Sequence, residues 1–400
     1  SNVPFQANQY LRPSFSAVIN GSPVDFSGQA HVGEGEGEKT ALTCNLHAID
    51  LPVYAEYFPQ SLPLIFTGGK ADGKINLLFD PKSQQDDKLA IDFELQLTDV
   101  ELQNTEATVV MNIPLTLVNG NLKPIAKTVV FSNVSFDEPV LQSVGSSFLS
   151  SIGGLFRQTK KGSPTEPAAT GTSFSLSVDG LLAKDGTYHF WKEKGAKHPE
   201  ATWTSLQLSA KDYSSIAPAD NKKEPGTFLL TGGKDGTPST FSWQGSLTAP
   251  EILGGTLAVT KVNPKDLLVA ISGDTDQQLA VNGIAELKGQ LTLSRTQDPN
   301  TNIAYKLADG ELTVQNFQLL EDKLSVLSAP MLKITALATA YETIHFGNVS
   351  LENGSILLPT NRIPDIFKHF TAGKYLIQNI DFNGQVTLLP DAKGKQKTIY

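Results

Sequence analysis

The sequence predicts a mainly β protein: a duplicated, elongated antiparallel sheet with short capping helices. Three observations carry that expectation. Segments recur in the same order at a nearly constant offset. Apolar and polar residues alternate over many short runs. Turn signals return about every ten residues, the spacing of an all-β sandwich, barrel or open array.

The repeat comes first. Gly21-Ser-Pro-Val-Asp-Phe-Ser27 returns as Gly236-Thr-Pro-Ser-Thr-Phe-Ser242, an offset of 236 − 21 = 215. Phe131-Ser-Asn-Val-Ser135 returns as Phe346-Gly-Asn-Val-Ser350 at the same offset. Between them Gly73-Lys-Ile-Asn-Leu77 matches Gly289-Gln-Leu-Thr-Leu293 at 216, and Glu94-Leu-Gln-Leu97 matches Glu311-Leu-Thr-Val314 at 217. Chance matches would scatter, whereas these keep their order. Repetition points to an array that buries its apolar face by continuing itself. It moves the functional expectation from a single catalytic pocket to a long binding surface. The expected organisation is a first β unit with terminal helix over 1–160, a linker at 161–172 and a second β unit with terminal helix over 173–400. The superposable parts are 14–140 and 229–358.

The strands follow from period-two patterning. Ile91, Phe93, Leu95 and Leu97 alternate with polar residues, which gives a sheet one apolar face. The next apolar positions are Val100 and Leu102, so the phase flips, and a bulge or tight turn is expected near Asp99. Similar runs are 174–178, 307–314 and 332–336. Turns are expected at Asn20-Gly21, Asp72-Gly73, Asn119-Gly120, Asp185-Gly186, Asp235-Gly236 and Asn353-Gly354.

Two helices are expected. Leu141, Val144, Phe148, Ile152 and Leu155 share one helical face, and so do Ile363, Ile366, Phe367 and Phe370. Each run follows its copy of Asn-Val-Ser, so a helix would close each unit. The polar face of the first is Ser and Gly with almost no charge. It reads either as a cap over a sheet end or as a helix that settles into lipid packing defects. Lys, Gly, Ser, Pro, Thr, Glu and Ala between Gln158 and Gly171 have linker composition, and Asp220 to Gly226 is a second polar break.

Composition narrows the function classes. The chain has 400 residues and a net charge of −9, the wrong sign for the electrostatic footprint of a nucleic-acid binder. No window approaches the roughly 20 apolar residues of a membrane span. Ser1-Asn2 has the look of a cloning remnant, so a soluble piece of a longer protein is expected. Cys44 is the one cysteine, so no internal disulfide forms.

The candidate chemical motifs have plainer readings. Gly68-Gly-Lys-Ala-Asp-Gly73-Lys74 has phosphate-loop spacing, but Ile75 replaces the magnesium-binding hydroxyl and a strand-like run follows, so a β-turn is expected. Glu34, Glu36 and Glu38 alternate with glycine, as a solvated hairpin tip does more readily than a calcium site. The six histidines show no metal-ligand spacing, and one cysteine cannot build a structural zinc site. No nucleophile signature is present. The sequence therefore predicts no enzyme, no cofactor and no metal. Four asparagines, at 20, 133, 348 and 353, stand in glycosylation sequons that chance and turn chemistry explain.

Thr240 to Pro250, Gly255 to Val259, Asn263 to Ala270, Val281 to Gly283 and Gly289 to Leu293 form one series. Asp25 to Gln29, Leu42 to Ile49, Leu51 to Pro59, Thr67 to Gly69 and Gly73 to Phe79 form the other. Together they resemble the bacterial AsmA-like envelope proteins, in the branch long known only as a domain of unknown function. The resemblance runs from about Phe15 to Pro359, and its motifs are diffuse and apolar. It implies a large twisted sheet folded into a groove with an apolar lining. It also implies periplasmic location, an inner-membrane anchor in the full-length protein and phospholipid transport towards the outer membrane. It carries no catalytic residues. Two departures from the family are expected: the anchor helix is not read in this sequence, as for a trimmed piece, and such a piece is expected to be too short to bridge the envelope alone.

The combined expectation is an elongated antiparallel sheet curved into an apolar groove that binds lipid acyl chains. Ile91, Phe93, Leu95 and Leu97 would line it in the first unit, and Leu312 and Val314 in the second. An incompletely covered apolar strip of that size holds lipid or a partner. Envelope proteins are the other expected partners, and an open sheet edge would invite continuation by another domain. The rival reading is a structural module whose sheets pack fully and which binds other envelope proteins.

Overall fold

The structure is a computed structural model that describes residues 9–32, 39–57, 65–104, 107–145, 175–214, 224–248, 252–267, 279–295, 303–321, 324–340, 343–358, 375–390 and 396–399. The first strands are β1 (Gln9–Leu11), β2 (Ser14–Ile19), β3 (Ser22–Val32), β4 (Thr40–Asp50) and, after a 3-10 helix (Leu51–Tyr57), β5 (Ile65–Phe79). A 3-10 turn (Gln85–Asp87) precedes β6 (Leu89–Gln103), β7 (Val109–Lys123), β8 (Thr128–Asp137) and β9 (Val140–Val144). The chain continues with β10 (Ser175–Trp191), β11 (Ala201–Ser214), β12 (Gly226–Lys234), β13 (Thr240–Thr248) and β14 (Ile252–Val262). It ends with β15 (Leu279–Arg295), β16 (Ile303–Glu321), β17 (Leu324–Ala340), β18 (Thr343–Leu358), β19 (Tyr375–Pro390) and β20 (Gln396–Ile399).

These strands form one large curved sheet, as the alternation predicts. From β2 to β8, and again from β10 to β20, each strand pairs antiparallel with the next in the chain. β1 and β2 lie along the same side of β3 in one register, broken at Arg12-Pro13. Proline cannot donate to a ladder, and here it stands on the edge strand, where that loss is tolerated.

The seam between the two runs is parallel. β8 and then β9 occupy the place between β7 and β10, and both run parallel to β10. Leu141 and Val144 therefore belong to a strand, which corrects the helix expected there. The local reason is Ser143. It is buried on the same side as Leu141, with its hydroxyl 2.6 Å from that of Tyr188. A buried polar residue broke the alternation that would have read as a strand. Phe148, Ile152, Leu155, the linker and the second expected helix (Ile363, Ile366, Phe367, Phe370) lie outside the described residues.

Strand order and register recur along the chain. Asn133 on β8 faces Asn119 on β7, and Asn348 on β18 faces Thr335 on β17. Those partners are 348 − 133 = 215 and 335 − 119 = 216 positions apart. Leu95 faces Val118, and Leu312, 217 positions later, faces Ile334. Phe26 and Phe241 both stand on the strand two places before a helical cap. The caps are the 3-10 helix after β4 and a helical turn at 264–267 after β14, the latter tied by Lys234 to Asp266 at 2.5 Å.

The bulges recur too. Ala48 and Lys261, Gly69 and Gly283, and Asp99 and Asn316 are pairs of positive-φ residues on corresponding strands. The bulge expected at Asp99 is present, with φ 51. Such residues break the pleat and add twist, which coils a wide sheet. Of the six expected turns, Asn20-Gly21 and Asp235-Gly236 are turns. Asp72-Gly73, Asn119-Gly120, Asp185-Gly186 and Asn353-Gly354 lie within strands, so those four expectations are corrected. Long strands absorb these turn-forming pairs as bulges or glycine contacts between neighbours.

Candidate functional site: an apolar trough

Directly paired residues share a face of the sheet, so rows can be traced across strands. One row runs Phe15, Phe26, Cys44, Ile75, Phe93, Gly120, Phe131 and Val178, from β2 to β10. The next row on this face holds Val24, Leu46, Gly73, Leu95, Val118, Val134 and Leu181. On the other face the intervening row is Asp25, Asn45, Lys74, Glu94, Asn119 and Asn133. The first half of the sheet is thus apolar on one side and polar on the other. The structure brings Ile91, Phe93, Leu95 and Leu97 together on the apolar side of β6, all half-buried, while Asp92, Glu94 and Gln96 are exposed behind them.

The face is open along one lip. Phe15 is 56% exposed, Leu42 37% and Phe79 41%. Phe15 and Phe26 stack with ring centroids 4.5 Å apart, and Phe93 meets Phe131 edge-on at 5.8 Å. The other lip is closed. There Leu51 of the 3-10 helix packs with Ala71, Val100 and Ile113. Thr116 is buried on that side, and its hydroxyl has no hydrogen-bond partner among the described residues.

The second half treats the same face differently. Val314 is 2% exposed and belongs to a large core that runs from Tyr188 to Leu351, and Leu312 packs against it. Val314 therefore fills a core instead of lining an open groove, while Leu312 is half-buried against that core. Alternation gave their face but not whether neighbouring side chains would fill it.

Among the described residues, Ser16, Asp25 and His47 cluster but are not arranged as a catalytic triad. Ser16 donates to Asp25 Oδ1 at 2.5 Å, and His47 Nε2 lies 3.2 Å from Asp25 Oδ2. The carboxylate stands between the other two, on the polar face, so the imidazole is not placed to take the serine proton. The Ser16 hydroxyl, then the His47 ring, hold the Asp25 carboxyl below its ordinary range. Among the described residues no group of three or more His, Cys, Asp or Glu is placed to share a cation. The 68–74 stretch is continuous strand in β5, not the turn expected, and Lys74 pairs across to Glu94. Its N–H groups point alternately to neighbouring strands and cannot converge on a phosphate.

Charged pairs mark the open lip. Lys39 Nζ lies 2.9 Å from Asp80, and Lys123 donates to Asp87 at 2.6 Å. The hydrogen bond from Lys39 is the main cause that lowers the Asp80 pKa. Periodicity found the β6 lining. It missed Phe15, Leu42 and Cys44, whose membership depends on pairing across strands. No family model, curated protein or solved structure matches this chain.

Proposed function

We propose that this chain is a non-enzymatic, AsmA-like module of the bacterial cell envelope that shelters lipid acyl chains on the apolar face of β2 to β8. On this reading it works in the periplasm, as part of a protein anchored in the inner membrane, in phospholipid transport or outer-membrane maintenance. The observation that carries the proposal is the contrast between Leu42 and Leu257. They stand 215 positions apart in matching register, yet Leu42 is 37% exposed and Leu257 packs against the core. The first half leaves open an apolar face that the second half fills. Each acyl methylene moved from water onto such a face contributes about 0.8 kcal/mol, so part of one chain suffices to hold a lipid.

A scaffolding reading is favoured by a different observation. The continuous core from Tyr188 to Leu351 is what a fully packed structural sheet requires. Photo-crosslinking from position 93, with native mass spectrometry of protein purified without detergent, separates the two. The lipid reading expects crosslinked phospholipid and a bound mass, both diminished in Phe93→Glu protein that still melts cooperatively. A bare protein mass and no lipid crosslink in folded protein would leave the scaffold.

A further inference from the structure

Resting on the lipid reading, we infer that Trp243 limits the trough: the aromatic side chains of β11 to β13 plug the apolar face, so acyl chains occupy β2 to β8 and go no further. The row that carries Leu95 continues through Leu181 to Ala210, Phe228 and Gly245, so this face is continuous across the pairing. What changes is its filling. Trp203 meets Phe241 edge-on at 5.5 Å, and Phe228 meets Trp243 edge-on at 4.7 Å. Trp203, Phe228 and Trp243 are 8%, 5% and 5% exposed.

The repeat shows which residue makes the difference. Phe241 corresponds to Phe26 at the offset of 215, and Trp243 corresponds to Gly28. Gly28 faces Leu42, and Trp243 faces Leu257, again 215 positions on. With glycine opposite, Leu42 is 37% exposed at the open lip; with tryptophan opposite, Leu257 packs into the core. The Trp243 Nε1 has no hydrogen-bond partner among the described residues. Packing alone places that ring, and it fills the face at this point. Trp243 is thus a specificity-determining residue: it sets how much of the sheet accepts cargo.

The natural tryptophans make the test direct. The chain has three, Trp191, Trp203 and Trp243, all on strands beyond β8. Bromine on an acyl chain quenches an indole only at contact. The protein is loaded with a phosphatidylcholine brominated on its acyl chains, and lipid binding is confirmed by native mass spectrometry. Native emission should stay unchanged, whereas Leu95→Trp protein should lose the emission its added indole supplies. A lipid-bound native protein with quenched tryptophans overturns the plug. Bound lipid that leaves both proteins unquenched refutes the trough as its location, and with it the plug. Failure of any lipid to bind refutes the lipid reading on which the plug rests. In addition, folded Trp243→Gly protein should bind more lipid per chain, and an unchanged stoichiometry counts against Trp243 as the limit.

Discussion

Phe93 lies across the face of Gly120: a Cβ at Gly120 would come within 2.6 Å of the Phe93 Cζ atom and 2.5 Å of the Val130 carbonyl oxygen. The glycine is what allows the Phe93 ring to reach Phe131 on the strand beyond. One residue therefore joins the β6 and β8 sides of the trough by having no side chain.

Gly120→Ala should force either the ring or the strand aside. The expected loss is about 1–3 kcal/mol, the usual range for overpacking a tight contact. Chemical denaturation measures it directly. A variant as stable as the parent would show that the close approach relaxes freely.

Cys44 reports on the trough without any mutation. It stands between Phe26 and Ile75 on the apolar row, and burial pushes its thiol pKa up. Only the thiolate reacts, so alkylation at neutral pH should be slower than for a free cysteine and should rise further into the alkaline range. Added phospholipid should slow it again. If the labelling rate is indifferent to lipid, acyl chains do not cover this row.

Stability should fall in two stages as the solution is acidified. Burial lowers the His189 pKa below its ordinary value of about 6.5. The unfolded chain then takes up that proton first, so the stabilisation is complete above about pH 6.5 and erodes as pH falls through the window just below. Asp25 and Asp80 are also lowered, so their contribution is present above the ordinary carboxylate value of about 3.9 and is lost at more acid pH. Thermal melts across pH 3 to 8 (roughly the span these groups cover) should show both stages. His189→Gln should flatten the upper one, and a variant that keeps it assigns that stage elsewhere.

The Ser143–Tyr188 contact should be energetically coupled. Both residues are buried, and their hydroxyls lie 2.6 Å apart. Ser143→Ala and Tyr188→Phe should each destabilise the seam, while the double variant should cost less than their sum by about 0.5–3 kcal/mol. Strict additivity would mean that the two hydroxyls act independently.

The sequence made the β6 lining legible because Ile91 to Leu97 alternate without interruption and Asp99 then shifts the phase. It made the recurrence legible because Phe26, Phe241, Asn133 and Asn348 keep their spacing. It hid β9, since Leu141 and Val144 also fit a helical step and Ser143, a polar residue, is buried beside Tyr188. It hid the interior of β5, because Asp72-Gly73 forms turns in isolation but here pairs with β4 and β6 on either side. It also hid the closure of the second half. Periodicity tells which way a side chain points, whereas closure depends on what stands opposite, such as tryptophan at 243 and glycine at 28.

The parallel seam has a consequence for how such a chain can lengthen. Wherever each strand pairs antiparallel with its successor, adding or deleting one hairpin leaves every other strand running as before. A hairpin adds strands in twos, so growth of that kind preserves the alternation of direction. Between β8 and β10 two neighbours run the same way, and β10 starts level with the start of β8 rather than where β9 ends. A segment inserted between β9 and β10 therefore leaves every hairpin on either side in its register. The seam is the joint at which two independently grown sheets can be merged edge to edge without re-threading either.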